Sequence, residues 1–281
     1  MSSKTGIEWT EATWNPVRGC SRISEGCRNC YAELVAARFS GPGLPYEGLA
    51  RMTPSGPRWT GDLQLIDKHL EDPIRWQRPR KIFVNSMSDL FHEKMPFDWI
   101  QAIFDVMFSA KRHTYQILTK RADVMAQKLR FVRTPLGTKW EDCPDRNIWI
   151  GISVENQEAA DTRLPYLRET PAAVRFLSVE PLIEKVDLRK WLRPVTLNRG
   201  PMPGVDWVIV GAESGGGARP MELDWARDVR DQCAEAGVPF FLKQGNMLTQ
   251  PVEVPELAGR VVDLPVLDGR TWAQFPKTEA A

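Results

Sequence analysis

The strongest constraint on the fold is an alternation of short apolar runs with helical segments between residues 81 and 244. Apolar runs occupy residues 81–85, 114–118, 147–152, 174–177, 207–210 and 239–242. Helical periodicity follows at about 96–110, up to about 130, up to about 169, and at about 224–236. Apolar strands that alternate with helices form a parallel sheet with right-handed crossovers. The sequence therefore predicts an α/β fold, a full or partial (β/α) barrel, with an open doubly wound sheet as the alternative.

Polar residues follow the apolar runs at almost every strand end. They are Asn85, Ser86, Ser88, Asp89, Lys120, Arg121, Ser153, Glu155, Asn156, Ser178, Glu180, Glu213, Ser214, Lys243 and Gln244. In a parallel barrel the carboxyl ends of the strands converge on one rim, where binding sites are built. Solvated loops also place polar residues at strand ends. Here, however, carboxylates follow several strands and are mixed with Lys and Arg, so the pattern predicts a site on this rim.

A cluster of cysteines precedes this region. Cys20, Cys27 and Cys30 are spaced C-x6-C-x2-C, whereas Cys143 and Cys233 stand alone. Three thiolates can hold three irons of a [4Fe-4S] cluster and leave the fourth iron open to a small molecule. The alternatives are a zinc site completed by a distant side chain such as His92, and a disulfide with one spare thiol.

The remaining segments carry weaker signals. Residues 7–19 predict an extended entry to the cysteine loop, because they contain Pro and Gly. Tyr31, Leu34, Val35 and Phe39 keep helical spacing, so the third cysteine should precede a helix whose N-terminus favours thiolate. Residues 41–60 predict a surface loop, with a lid over a site as the alternative. Beyond about residue 245 the tail is expected to pack across the barrel bottom or to be partly mobile.

Composition limits the partners and the compartment. The formal net charge is +1, which indicates neither a nucleic-acid coat nor a membrane surface. No apolar run is long enough to span a bilayer, and the N-terminus lacks the apolar core of a signal peptide. We therefore expect a cytoplasmic protein with reduced thiols, which disfavours the disulfide. The basic run at residues 75–81 could bind nucleic acid, although such runs are more often solvated faces.

Several short segments, taken with the cysteine loop, resemble one family. They are residues 6–10, 13–16, 30–32, 84–89, 117–121, 151–155, 178–181 and 211–215. Together they are similar to the phage-associated three-cysteine-motif family of uncharacterised proteins, which is itself similar to radical S-adenosylmethionine (radical SAM) enzymes. The resemblance covers about residues 6–245.

The resemblance implies a partial (β/α)6-type barrel of the radical SAM kind over residues 1–245, with an insertion at 41–75 and an irregular C-terminal extension at 246–281. It also implies a [4Fe-4S] cluster on the three clustered cysteines at the barrel mouth, whose open iron chelates S-adenosylmethionine. An electron from an external donor would cleave the cofactor and give a 5′-deoxyadenosyl radical that abstracts hydrogen from the substrate. Cofactor-binding residues are then expected among Asn85, Ser86, Ser88, Asp89, Lys120, Ser153, Glu155, Glu180 and Glu213.

The sequence departs from the radical SAM pattern at three places. Six residues rather than three separate the first two cysteines, and Asn29 replaces the aromatic residue before the third. Residues 85–89 replace the Gly-Gly-Glu segment that receives the methionine amine. Ser86, Ser88 or Asp89 could supply oxygen atoms for that amine, and Glu155 takes the position of the family's ribose contact.

The sequence thus predicts a cytoplasmic iron–sulfur enzyme of the radical SAM type that acts on an unknown substrate. A phage association would suggest nucleic acid, a modified nucleotide or a peptide as that substrate. The alternative is a non-catalytic protein whose cysteines hold zinc or a structural cluster and whose basic rim binds nucleic acid.

Overall fold

The computed structural model describes residues 5–142, 144–197, 200–215 and 217–277, so Cys143 lies outside the described residues. The strands are β1 Ala12–Trp14, β2 Val17–Arg18, β3 Ala50–Thr53, β4 Gly56–Trp59, β5 Gln64–Leu65, β6 Lys81–Val84, β7 Thr114–Thr119, β8 Ile148–Ser153, β9 Val174–Val179, β10 Val195–Leu197, β11 Gly200–Met202, β12 Trp207–Gly211, β13 Phe240–Gln244, β14 Thr249–Val254 and β15 Arg260–Pro265. The helices are α1 Tyr31–Arg38, α2 Asp67–Leu70, α3 Asp72–Arg75, α4 Phe97–Ser109, α5 Ala122–Leu129, α6 Gln157–Glu169, α7 Arg189–Leu192 and α8 Leu223–Ala236. Short 3-10 helices lie at Glu25–Cys27, Trp140–Asp142 and Pro255–Leu257.

Within the described residues, a central sheet of seven strands has the order β1-β6-β7-β8-β9-β12-β13. Every neighbouring pair in it is parallel. The sheet is curled into a half-barrel, which confirms the predicted α/β class and partial barrel. Six strands correspond to the six apolar runs. The seventh, β1, lies in the segment predicted only as an extended entry, because three residues are too few to show a strand pattern.

Helices cover the convex face of this sheet. In α4, Ile100, Ile103, Phe104 and Met107 are buried, which is the i, i+3, i+4, i+7 pattern of an amphipathic helix. Helix α8 ends at Gly237, whose φ of 71° is a left-handed conformation that glycine adopts without strain. In the described part of the chain, every helix is too short or too polar to cross a bilayer.

Aromatic side chains fill the concave face of the sheet. They are Trp9, Phe83, Trp149, Phe176, Trp207, Phe241 and Phe275, all of them buried. The ring centroids of Trp9 and Phe83 are 4.8 Å apart, and those of Trp207 and Phe275 are also 4.8 Å apart. Gly151 in β8 makes room for this layer, because a Cβ there would lie 2.5 Å from the Phe176 ring. The half-barrel is therefore a packed core rather than a channel.

The C-terminal segment closes the amino-terminal side of the half-barrel. Strands β14 and β15 form an antiparallel hairpin, and Val262 and Leu264 pack into the aromatic layer. The Arg260 guanidinium donates hydrogen bonds to the backbone oxygens of Thr5, Ile7 and Thr10, at 2.6–2.7 Å. Of the two behaviours expected for the tail, packing across the barrel is the one observed.

Residues 41–60 are not the plain surface loop that their Gly and Pro content predicted. Strands β3 and β4 pair there as an antiparallel hairpin that packs against α1. Tyr46, Leu49, Ala50 and Trp59 pack with Ala36 and Ala37 of α1, so four apolar residues in a Gly- and Pro-rich stretch attach the hairpin to this helix. The hairpin is therefore part of the support of the cysteine loop.

Candidate functional site

A cavity of about 200 Å³ lies at the carboxyl ends of the parallel strands. It is lined by Cys20, Cys27 and Cys30 together with the strand-end residues Asn85, Ser86, Ser88, Asp89, Lys120, Arg121, Ser153, Ser178, Glu180, Glu213 and Lys243. Ile7, Trp9, Phe83 and Leu118 supply apolar lining. The predicted rim and the cysteine cluster therefore meet at one site.

The three clustered cysteines are free thiols. Cys27 ends the 3-10 helix, and Cys30 is the N-cap residue of α1, as the helical spacing after it predicted. Burial raises the pKa of Cys20 and of Cys30. At Cys30 the nearby backbone N–H groups of Glu33 and Ala32 lower the pKa and oppose that rise. These N–H groups belong to the first turn of α1, where the helix favours a negative charge.

Arg121 fastens the first cysteine of the loop to the strand ends. Its buried guanidinium donates to the backbone oxygen of Ser21 at 3.1 Å and to the Ser21 hydroxyl at 2.8 Å. It also forms ion pairs with Asp89 at 3.0 Å and with Glu93 at 2.8 Å. Because Ser21 follows Cys20, this contact fixes the position of Cys20 relative to β6 and β7.

The carboxylate of Asp89 is fully occupied by this support. Beside Arg121, it accepts hydrogen bonds from the Thr119 hydroxyl at 2.7 Å and from the backbone N–H of Phe91 at 2.9 Å and of Lys120 at 3.3 Å. Asp89 lines the cavity, but its oxygens are already used. Its predicted role in accepting a cofactor amine remains a prediction, and the geometry gives it a different task.

Glu155 lies against the cysteine loop at Gly26, the residue before Cys27. It is 1% exposed and forms a bidentate ion pair with Arg163, at 2.8 Å and 3.0 Å. A Cβ placed on Gly26 would lie 2.9 Å from the carboxyl carbon of Glu155. Burial alone would raise the pKa of Glu155, but Lys120 and Arg163 hold it below its ordinary value. Glu155 is the one predicted cofactor residue that does not line the cavity.

Glu213 and Glu33 hold the rest of the loop. Glu213 accepts hydrogen bonds from the Asn29 amide at 2.7 Å and from Arg219 Nη2 at 2.7 Å. Burial would raise the pKa of Glu213, but the bonds from Arg219 and Asn29 keep it low. Glu33, inside α1, pairs with Arg22 of the loop and accepts from the backbone N–H of Trp59 at 2.8 Å. Asn29, which replaces the aromatic residue of the radical SAM pattern, therefore has a specific hydrogen-bond partner in Glu213.

Asn85 is different, because its side chain is buried but unused. It is 3% exposed and lines the cavity, yet its amide nitrogen and oxygen have no hydrogen-bond partner among the described residues. Its backbone φ of 59° is left-handed, a strained conformation that recurs at functional sites. A buried amide without partners costs roughly 1–3 kcal/mol, and a ligand in the cavity could offset that cost by hydrogen-bonding to it.

The other predicted residues are placed as follows. Ser86 and Ser88 line the cavity, and their hydroxyls donate to the Asn15 side chain at 3.2 Å and to the Val17 oxygen at 3.0 Å. Lys120 reaches the Glu180 backbone oxygen through a long hydrogen bond of 3.4 Å. Ser153 is buried at the cavity wall.

A charged cluster lies at the ends of β9 and β13, and it includes the predicted site residue Glu180. The Lys243 ammonium is 2.6 Å from a Glu180 oxygen and 4.0 Å from a Glu8 oxygen. Lys243 was visible as a polar strand-end residue, but Glu8 gave no signal because it precedes the predicted barrel. Arg163, Arg219 and Glu33 were also missed, since each is a charged residue on or before a helix that only the fold brings to the loop.

Both ring nitrogens of His92, the histidine that could complete a zinc site, have hydrogen-bond partners. Its Nε2 lies 2.8 Å from the Ser21 hydroxyl, and its Nδ1 accepts a hydrogen bond from the backbone N–H of Lys94 at 3.1 Å. Within the described ranges, no three His, Cys, Asp or Glu side chains are arranged to hold a metal ion.

Comparison with known proteins gives a family and one similar structure. The model of the DUF5131 family, described as a protein of unknown function, matches residues 4–276. No curated protein sequence matches the chain. A solved structure of a spore photoproduct lyase mutant is similar with a TM-score of 0.47 and 8% sequence identity, over 85% of this chain and 79% of that chain.

Proposed function

The chain belongs to the DUF5131 family of proteins of unknown function, and from its site we propose that it is an iron–sulfur enzyme of the radical SAM type. One observation carries this proposal: three free thiols of one loop share a cavity with a buried, unpartnered amide at the end of β6. Three thiols beside a ligand-ready amide suit a metal group that keeps one position open for a small molecule.

The number of thiols suits a cluster with one open iron, whereas a structural zinc ion takes four protein ligands. Both nitrogens of His92, the histidine that could complete a zinc site, are engaged by Ser21 and Lys94. Cys20, Cys27 and Cys30 are the residues that would hold the cluster.

When bound, the cluster with S-adenosylmethionine supplies one-electron cleavage of the cofactor's carbon–sulfur bond. The protein binds and orients that cofactor. Asn85 offers an N–H₂ donor and an oxygen acceptor, which match the carboxylate and amine of an amino acid. Lys120 offers an ammonium whose present hydrogen bond, at 3.4 Å, is long and easily exchanged. Ser153 lies at the same wall.

The apolar side chains that line the cavity exclude water from it. Ile7, Trp9, Phe83 and Leu118 surround the inner part of the cavity, and Trp9 is 2% exposed. Such lining excludes water, which protects reactive groups from side reactions. The aromatic layer below it is rigid, so the floor of the cavity is fixed.

The remaining elements of the proposal concern partners. An external electron donor is required, and the substrate is a nucleic acid, a modified nucleotide or a peptide, in line with a phage association. The cytoplasm is the compartment that keeps the three thiols reduced.

Anaerobic reconstitution tests the proposal. We expect about four irons and four sulfides per chain, and a visible spectrum that changes when S-adenosylmethionine is added. With dithionite, 5′-deoxyadenosine should form. Near-stoichiometric zinc without iron would reject the proposal.

Two cysteine variants form a matched pair for this experiment. Cys27→Ala should lose the iron, because it removes one of three ligands. Cys233→Ala should keep it, because that thiol is fully buried in α8 within the outer core. Iron retained in Cys27→Ala would mean that the ligands are wrongly assigned.

A further inference from the structure

The Glu180–Lys243 ion pair lines the cavity, but the roles proposed for the cysteines and Asn85 do not involve it. Both side chains line the cavity, and their charged atoms are 2.6 Å apart. Only 11% of the Lys243 side chain is exposed. Taking such a pair out of water is costly, and buried pairs of this kind add little to stability. Its presence at a cavity wall therefore calls for a reason other than folding.

The sequence makes room for this pair. Strand β12 lies between β9, which leads to Glu180, and β13, which carries Lys243. Lys243 crosses β12 at Gly211, where a Cβ would lie 2.9 Å from its Cγ. The register of β12 and β13 also shifts at this glycine. The side chain of Lys243 thus occupies a groove that only glycine leaves open.

The carboxylate of Glu180 is only partly used at this wall. One of its oxygens pairs with Lys243, and the second has a single long contact among the described residues, 3.4 Å to the Ser178 hydroxyl. The Lys120 ammonium reaches the backbone oxygen of Glu180, at 3.4 Å, rather than its carboxylate. Glu180, which lines the cavity, therefore offers a weakly bonded acceptor oxygen.

The floor beside this wall is apolar. Trp9 and Phe83 line the cavity there with Ile7 and Leu118. Aromatic and aliphatic side chains of this kind suit a small apolar ring with one polar substituent.

We propose that Glu180, backed by Glu8 and Lys243, forms a substrate subsite for a cationic nitrogen group carried on a small apolar body. An amidine, a guanidine or a protonated amino group would donate to the weakly bonded second oxygen of Glu180. This inference rests on the proposed function, because it assigns the cysteine wall to the cofactor and this wall to the substrate.

Three probes of one shape and different charge test the subsite. They are benzamidine, which is a cation, benzamide, which is neutral, and benzoate, which is an anion. Titration calorimetry on the full-length protein, with and without S-adenosylmethionine, should show benzamidine binding at least about tenfold more tightly than benzamide. Benzoate should bind most weakly. Equal affinities, a preference for benzoate, or no binding of any probe would overturn the proposal.

Two variants move the affinity in opposite directions, which a folding defect does not do. Glu180→Gln should weaken benzamidine binding about tenfold and leave benzamide unchanged. Lys243→Met removes the competing ammonium, so benzamidine should bind more tightly than to the wild type. Loss of benzamidine binding in Lys243→Met would contradict the charge assignment.

The outcome is separable from that of the proposed function. Iron content and 5′-deoxyadenosine report on the cysteine wall, whereas probe selectivity reports on the Glu180 wall. Selectivity for benzamidine in a protein that binds zinc would keep the subsite and reject the cluster. Four irons without probe selectivity would do the reverse.

Discussion

Gly26→Ala is the sharpest test of how the cysteine loop is supported. The glycine lies directly before Cys27, above the buried carboxylate of Glu155. An added Cβ would lie 2.9 Å from Cδ, 3.1 Å from Oε2 and 3.2 Å from Cγ of Glu155. Contacts this short do not persist, so either the loop or the glutamate must move. Arg163 holds both oxygens of Glu155, and the glutamate therefore has little freedom to yield.

The expected movement is a displacement of the loop by a few tenths of an ångström, away from β8. Overpacking of this kind costs roughly 1–3 kcal/mol. The core of the half-barrel lies elsewhere and is unaffected, so most of that cost should fall on metal retention. A loss of this size weakens binding by about 5- to 150-fold.

The assay compares iron per chain after anaerobic reconstitution and after competition with a chelator. Gly26→Ala should lose iron to the chelator well before the wild type does. Urea unfolding of the metal-free protein should show a loss of no more than about 3 kcal/mol. Gly6→Ala is the matched control, because a Cβ there meets nothing within 4 Å. Equal iron retention in Gly26→Ala and the wild type would refute the role of Glu155 as the support of Cys27.

Shortening the glutamate should partly rescue the glycine variant. Glu155→Asp keeps the charge and withdraws the carboxyl group from the position of the added methyl. In a double-mutant cycle, Gly26→Ala with Glu155→Asp should therefore retain more iron than the sum of the single effects predicts. The coupling energy should be at least about 0.5 kcal/mol.

Three further predictions concern the cavity walls. Asn85→Gly removes an unpartnered amide and relieves a positive φ, so the free energy of unfolding of the metal-free protein should hold level or rise by up to about 1 kcal/mol. In the same variant, calorimetry should show at least about tenfold weaker binding of S-adenosylmethionine, and unchanged affinity would remove Asn85 from the site. Burial raises the pKa of Glu8 above its ordinary value of 4.5. A carboxyl group with a raised pKa stabilises the folded protein at pH values below its unfolded pKa. This stabilisation is lost as the pH rises through the folded pKa. Glu8→Gln should therefore gain stability relative to the wild type as the pH rises above 4.5, and urea titrations that give the same difference near pH 4 and near pH 7 would contradict this. Gly211→Ala should push Lys243 out of its groove, cost roughly 1–3 kcal/mol of unfolding free energy, and reduce the preference for benzamidine; unaltered selectivity would show that the groove is not needed.

The sheet was readable from the sequence because its strands are buried on both faces. A strand such as β8, with six buried residues, must be continuously apolar, and a continuous apolar run is visible without any knowledge of its neighbours. Strand β1 was missed for the opposite reason. It is three residues long, and its place in the sheet is set by the pairing of Ala12 with Ile82, seventy residues later in the chain.

Helix α1 shows where periodicity misleads. The spacing of Tyr31, Leu34, Val35 and Phe39 predicted one apolar face, yet Tyr31 is 43% exposed and Phe39 is 49% exposed. The buried residues are Ala32, Glu33, Ala36 and Ala37. Small side chains allow the β3–β4 hairpin to approach closely, and Glu33 is tolerated inside because Arg22 and a backbone N–H satisfy it. Neither the contact with the hairpin nor the partners of Glu33 can be predicted from the sequence of the helix alone.

The strand-end residues divide into two groups by their partners rather than by their type. Asp89, Glu155 and Glu213 each pair with an arginine and support the cysteine loop. Their expected contact with a cofactor stays a prediction.

The loop has six residues between its first two cysteines, and a longer loop has more conformational freedom to lose when it is ordered. The carboxylates that hold the residues next to each cysteine offset the entropic cost of ordering this loop. Asn85 has no such partner in the described part of the chain, and in the proposed function its free amide recognises the cofactor.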